Sequence, residues 1–148
     1  MTMAAICNRR VVMIGAEESV LEAATLMREQ HVGDVVVTRS NGRRIPVGII
    51  TDRDITISVV APGLDPKLIT VGDVMQRHLV TAPVSQGVQE TVQQMRAKGV
   101  RRMPLVDDAG ALVGIVTLDD LLQLLADEFQ ELAKLITQER AVEEHRRP

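Results

Sequence analysis

Apolar residues fall along this chain in two kinds of run, and each kind occurs twice. In the first kind, Val20, Ala23, Ala24 and Met27 sit at i, i+3, i+4 and i+7, which is one face of a helix. Val88, Thr91, Val92 and Met95 repeat that spacing. The second kind is nearly continuous aliphatic: Val35–Thr38 and Ile45–Ile50, then Met103–Val106 and Ala111–Val116. Continuous rather than alternating runs predict strands covered on both sheet faces. A short extended piece precedes each helix (Val11–Ile14; Leu79–Ala82), and a second helix starts near Thr51 or Thr117. Ser19 and Glu22 form a capping-box pair, and Asn41-Gly42 signals a hairpin. The predicted order is β-α-β-β-α, twice. A unit of about sixty residues buries little alone, so two such units should pack sheet against sheet and share a core.

The two halves superpose. A shift of 68 places Arg9 on Arg77, Val12 on Val80, Val20 on Val88, Glu22 on Glu90, Met27 on Met95 and Val32 on Val100. After the next turn the shift is 66, with Gly48 on Gly114, Thr51 on Thr117 and Asp54 on Asp120. The difference is a shorter turn, TRSNGRR against DDAG, and a turn is where a structural repeat tolerates a change of length. This gives a first repeat over 1–60, a linker over 61–70, a second repeat over 71–126 and an extension over 127–148. The linker region, SVVAPGLDPKLIT, ends at Thr70, which with Asp73 can cap a short helix. In the extension, Leu118, Leu122, Leu125, Phe129, Leu132 and Ile136 are spaced 4, 3, 4, 3, 4, a short heptad seam. The helix should run to about residue 144, its first two turns lying back on the domain and the part beyond Glu128 meeting a partner helix in a homodimer. The terminal EEHRRP should fray.

Composition narrows the function classes. The 148 residues are 45% apolar and 25% charged, with a formal charge of −3, so the chain is folded and lacks the basic stripe of a nucleic-acid binder. No apolar run approaches the roughly 18 residues of a membrane span, and the first residues do not read as a signal peptide. Cys7 is alone, so neither an intrachain disulfide nor a cysteine cluster for metal is expected. A cytoplasmic location follows as the expectation. His31, His78 and His145 show no ligand spacing, and His31 and His78 read as surface or boundary residues. No nucleophile motif or phosphate loop appears, so neither catalysis nor a catalytic cofactor is expected. Phe129 is the only aromatic residue, so a flat ligand would be held by aliphatic side chains and backbone.

The recurrent chemistry is Gly-x-x-Thr-x-x-Asp, in GIITDRDI (48–55) and GIVTLDDL (114–121). Threonine three residues before an acid, where a strand gives way to a helix, is a helix cap. The same geometry can bind a ligand. A helix start attracts phosphate, a threonine hydroxyl can donate to it, and an aspartate one turn in can accept from a ribose diol. The glycine would let the ligand approach the backbone. Recurrence at matched positions favours a site, as does aspartate where a box usually has glutamate or glutamine.

The duplicated β-α-β-β-α unit closed by G-h-x-T-x-x-D resembles a pair of CBS domains, the Bateman module, over residues 3 to about 125. The stretches that carry the resemblance include VLEAATLMREQHVGDVVV, PVGIITDRDI and GVRRMPLVDDAGALVGIVTLDDL. It implies a non-enzymatic regulatory module. Such modules bind adenosine-containing ligands (AMP, ADP, ATP, NAD or S-adenosylmethionine) in clefts between paired domains and signal to a partner protein. It further implies that Asp54 and Asp120 contact ribose and that Thr51 and Thr117 face phosphate. The base would lie against Met13, Ile14, Gly33, Asp34 and Val35 in the first repeat, and against Thr81, Ala82, Arg101, Arg102, Met103 and Pro104 in the second. Gly33 would leave room for a ring, and Asp34 could accept from an adenine amino group. Arg101 and Arg102 could serve phosphates of the neighbouring site. Pro104 would fix the strand start. Arg53 lies beside the first helix start where the second repeat has Asp119, so the Asp54 site should prefer a charged nucleotide.

Overall fold

The computed structural model describes residues 1–39 and 42–147, and divides into two compact units, Met1–Val116 and Thr117–Pro148. The hairpin signal at Asn41 lies outside the described residues. The elements in order are α1 (Met3–Ile6), β1 (Met13–Gly15), α2 (Val20–Gln30), β2 (Asp34–Thr38), β3 (Pro46–Thr51) and α3 (Asp52–Ile55), which runs into a π-helical turn at Thr56–Val60. Then follow α4 (Val71–Val74), β4 (Ala82–Pro83), α5 (Val88–Lys98), β5 (Arg102–Val106), β6 (Leu112–Thr117) and α6 (Leu118–Arg146). The fold is the expected α/β tandem repeat, with two three-stranded sheets ordered β1-β2-β3 and β4-β5-β6.

In the first repeat, β1 lies parallel to β2, and β2 antiparallel to β3. Both faces of the sheet are used. One carries Val35, Val37 and Ile50 against Val20, Ala23 and Met27 of α2. The other carries Val36, which clusters with Leu112 and Ile115 of β6 and with Val11 and Met13. That second cluster is where the two sheets meet, and it explains the continuous aliphatic runs. α2 starts at Ser19, whose amide donates to Glu22 Oε2 at 2.8 Å while the Glu22 amide donates back to Ser19 Oγ at 3.2 Å. These bonds hold the Glu22 carboxyl below its ordinary value.

The second repeat is built differently inside. Thr91 is fully buried on α5, but Val92 of the expected apolar face is exposed. Gln94 turns inward instead. Gln86 Nε2 donates to Thr91 Oγ1 and to Gln94 Oε1, both at 3.0 Å, and Gln94 Nε2 donates to the Thr81 carbonyl at 3.2 Å. Pro104 is the third residue of β5, the middle strand, and so does not mark its start. The matching residue, Val36, donates its amide to the Val12 carbonyl at 3.0 Å. Proline has no N–H, so the second repeat cannot make this bond to Val80. β4 is accordingly two residues long against three for β1.

Each repeat is completed by the other's leading segment. Residues 2–8 pair with the second repeat through the bridges Thr2–Gly87 and Asn8–Ile115. Residues 70–76 pair with the first through the equivalent bridges Ser19–Thr70 and Ile49–Gln76. The amides of Ala4 and Gly72 donate to the carbonyls of Val84 (2.9 Å) and Ala16 (2.8 Å). Arg9 and Arg77 each brace their segment through the carbonyl five residues back, at 3.3 and 2.8 Å. These crossings explain the motif glycines. A Cβ on Gly48 would stand 2.7 Å from the Gln76 carbonyl oxygen, and one on Gly114 would stand 2.8 Å from Cys7 Sγ. The glycines therefore admit protein, and the expectation that they admit a ligand is corrected.

The second unit is α6, a 29-residue helix capped at Thr117. Leu125, Phe129, Leu132 and Ile136 are all more than half exposed. The terminal residues expected to fray continue the helix to Arg146, with Arg147 paired to Glu143 at 3.5 Å.

Candidate functional site

Both Thr-x-x-Asp motifs are capping boxes. The Thr51 amide donates to Asp54 Oδ2 at 2.9 Å, and the Asp54 amide donates to Thr51 Oγ1 at 3.1 Å. Thr117 and Asp120 make the same pair at 2.9 and 3.2 Å. Aspartate therefore closes a box as glutamate does, and its presence is no argument for a site. The two boxes differ in their spare groups. The Thr117 hydroxyl donates to Asp120 Oδ2 at 2.8 Å. At Thr51 the carboxylate instead accepts from Gln76 Nε2, at 3.2 Å to Oδ1 and 3.4 Å to Oδ2. Among the described residues the Thr51 hydroxyl donates to nothing.

Thr51 opens onto a cavity of about 270 Å³. Its other walls are Ile49 of β3, the crossing residues Gln76, His78, Leu79 and Val80, and Gly99, Val100, Arg101 and Arg102 before and at the start of β5. The motif of the first repeat thus meets the strand start of the second across this cavity, while Thr51 also pairs with Asp34 at the strand start of its own repeat. Of the expected residues this cavity brings together Thr51, Arg101 and Arg102. Asp54 is linked to the wall through Gln76. Val35, Ala82 and Met103 are buried in the core, Pro104 is buried in β5, and Met13 and Ile14 pack against the hydrophobic clusters. Thr81 offers its carbonyl to Gln94, and Arg53 is an exposed residue of α3. Thr117 and Asp120 lie in the second unit.

Asp34 and Arg102 occupy matching positions in the two repeats and pair with each other at 2.7 Å. Burial pushes the Asp34 carboxyl above its ordinary value, against the pull of Arg102 and helped by Asp52. Gly33 does not face open space either, because an added Cβ would lie 3.3 Å from Asp52 Oδ2. The wall residues missed from sequence are Ile49, Gln76, His78, Leu79, Val80, Gly99 and Val100. His78 in particular is a wall residue as well as a surface one. The signal that could have found them was Arg77 falling on Arg9, since both belong to segments that cross to the other repeat.

The sequence model of the CBS domain matches twice, over residues 3–60 and 71–127. An uncharacterized protein of Methanopyrus kandleri is 40% identical over 80% of this chain, a match spanning 60% of its own length. Hypoxic response protein 1 of Mycobacterium tuberculosis is 34% identical over 82% of this chain and 83% of its own. A crystal structure of Hypoxic Response Protein I with two coordinated zinc ions superposes with a TM-score of 0.72 at 33% identity, covering 83% of this chain and 98% of that one. Among the described residues here, no three His, Cys, Asp or Glu side chains gather as a metal site. The CBS domain pair of protein MJ0100, in complex with 5-methylthioadenosine and S-adenosyl-L-methionine, superposes at 0.71 with 25% identity, over 84% of this chain and 99% of that one.

Proposed function

This chain belongs to the CBS domain family, and on that premise we propose that it is a regulatory module binding an adenosine-containing ligand in the cavity beside Thr51. The observation that carries the reading is the convergence of two arginines and a threonine hydroxyl, whose proton has no acceptor among the described residues, on one cavity whose remaining walls include Ile49, Leu79, Val80 and Val100. Phosphate is recognised by hydroxyl and guanidinium donors, and a purine by aliphatic walls and backbone. Val80, deprived of a strand partner by Pro104, leaves a carbonyl for an exocyclic amino group. Gln76 and Asp54 offer polar atoms to a ribose. The adenosine derivatives held by the MJ0100 pair support the ligand class. AMP, ADP, ATP, NAD and S-adenosylmethionine are the candidates. In this reading the protein is not an enzyme, acts in the cytoplasm as a homodimer, and passes ligand occupancy to a regulated protein.

A thermal-shift and calorimetry panel over the five candidates tests the proposal. A ligand at a hundredfold excess over its Kd should stabilise the fold by about 2.7 kcal/mol. Asp54→Ala should weaken binding of a phosphate-bearing ligand by roughly tenfold to a hundredfold, the cost of 1.5–3 kcal/mol for a charged hydrogen bond. Asp120→Ala should weaken it less, and the reverse order would overturn the preference for the Asp54 site. A second reading, an interaction protein whose motifs serve only as caps, is favoured by the complete capping boxes at both motifs. Failure of every ligand to shift the melting temperature would establish that reading.

A further inference from the structure

We propose that α6 pairs with α6 of a second copy of this chain in antiparallel orientation, centred on Asp127. The surface is continuous: Leu122, Leu125, Phe129, Leu132, Leu135 and Ile136 are each at least 54% exposed. Together they leave roughly 500 Å² of apolar area per chain in water, at the upper end of the largest patch on a typical monomer. Two copies would bury about twice that, near the roughly 1,000 Å² a specific interface needs before its polar flanks are added. A second copy is the occupant that carries the same seam.

Orientation follows from spacing and charge. The seam spacing 4, 3, 4, 3, 4 reads the same in both directions. An antiparallel pair centred on Asp127 therefore sets Leu118 against Ile136, Leu122 against Leu132 and Leu125 against Phe129 of the second copy. No seam position is left facing a charge. A parallel pair in register would continue the seam into Glu139 and Glu143 and set each against its own copy. The antiparallel pair instead opposes the helix dipoles. Glu128 alone stays near its counterpart, at the crossing.

The pairing stands apart from ligand binding, and its test reads association only. Light scattering of the full chain at tens of micromolar should give a dimer, and the double variant Phe129→Asp, Leu132→Asp a monomer whose thermal transition is otherwise kept. Glu128→Gln, which touches no apolar contact, should tighten the dimer and reduce its dependence on salt. With Cys7→Ser and a spin label at Arg140→Cys, the two labels should lie about 40 Å apart, from the helical rise of 1.5 Å per residue. A separation near 10 Å, the spacing of adjacent parallel helices, would overturn the orientation. A monomeric full chain, or a dimer that survives the double variant, would overturn the pairing.

Discussion

Helices α2 and α5 stand at matching places in the two repeats, yet they bury different chemistry. α2 sets Ala23 and Leu26 where α5 has Thr91 and Gln94, so the first repeat has an aliphatic seat and the second a hydrogen-bonded one. The turns show the opposite bias. Where the second repeat has Gly99 and Gly110 in the left-handed region, at φ 65° and 79°, the first has His31 and Arg44, at 55° and 51°. Left-handed backbone costs an ordinary residue about 1–2 kcal/mol. The first repeat has the simpler core and the more strained turns; the second has relaxed turns and a core whose polar groups must all find partners. A duplicated fold can thus place its weaknesses differently in each copy while keeping one geometry.

The largest effect that would sharpen this contrast is at the crossing glycines. Gly48→Ala should cost about 2–3 kcal/mol in chemical denaturation, because the added methyl group meets the Gln76 carbonyl as well as Met75. Gly114→Ala should cost less and be partly relieved by Cys7→Ala, since its nearest neighbour is the Cys7 sulfur. Equal costs with no relief would erase the difference. Next come the turns. His31→Gly and Arg44→Gly should each stabilise by about 1 kcal/mol and add, while Gly99→Ala and Gly110→Ala should destabilise by a similar amount. Smaller again is Gln76. Its counterpart Asn8 turns its side chain to the Arg10 amide at 2.9 Å. Gln76→Asn should let Asp54 close on the Thr51 hydroxyl as Asp120 does on Thr117. Calorimetry should then show roughly a two- to tenfold weaker phosphate-bearing ligand. Tighter binding would show instead that Gln76 competes with the ligand for Asp54.

The smallest effect is at Asp34. Its carboxyl is raised on folding, so the folded state holds the proton more tightly than the unfolded one. Its stabilising contribution is present below the ordinary carboxylate range and is lost as pH rises through the folded value. The partly exposed Arg102 recovers some of this. Asp34→Asn should therefore shift stability at pH 7 by less than about 0.5 kcal/mol and flatten the pH dependence just above that range.

The repeat, the strand runs and the caps were legible in the sequence, because periodicity and Thr-x-x-Asp spacing are local. Thr70 with Asp73 was read correctly for the same reason: the Thr70 amide donates to Asp73 at 3.3 Å. The cavity was legible only in part. Thr51 and the two arginines carry their chemistry in their residue types, but Ile49, Leu79 and Val80 are generic aliphatics placed by a pairing between the repeats. Gln94 faces inward where Val92 was expected because it matches Leu26, which packs against the first core, while Val92 matches Ala24, which lies outside that cluster. A glutamine at that position conceals the inward face, which the leucine of the first repeat displays.

The crossed leading segments have a consequence for how the chain comes apart. A repeat cut out at its sequence boundary loses the segment that covers it and keeps one suited to its neighbour, so neither half should fold by itself. The pairs that close the structure, Asn8 with Ile115 and Ser19 with Thr70, span long stretches of chain, and the first cannot form until both halves exist. Opening one half releases a strap of the other, and the body of the protein should melt in a single step.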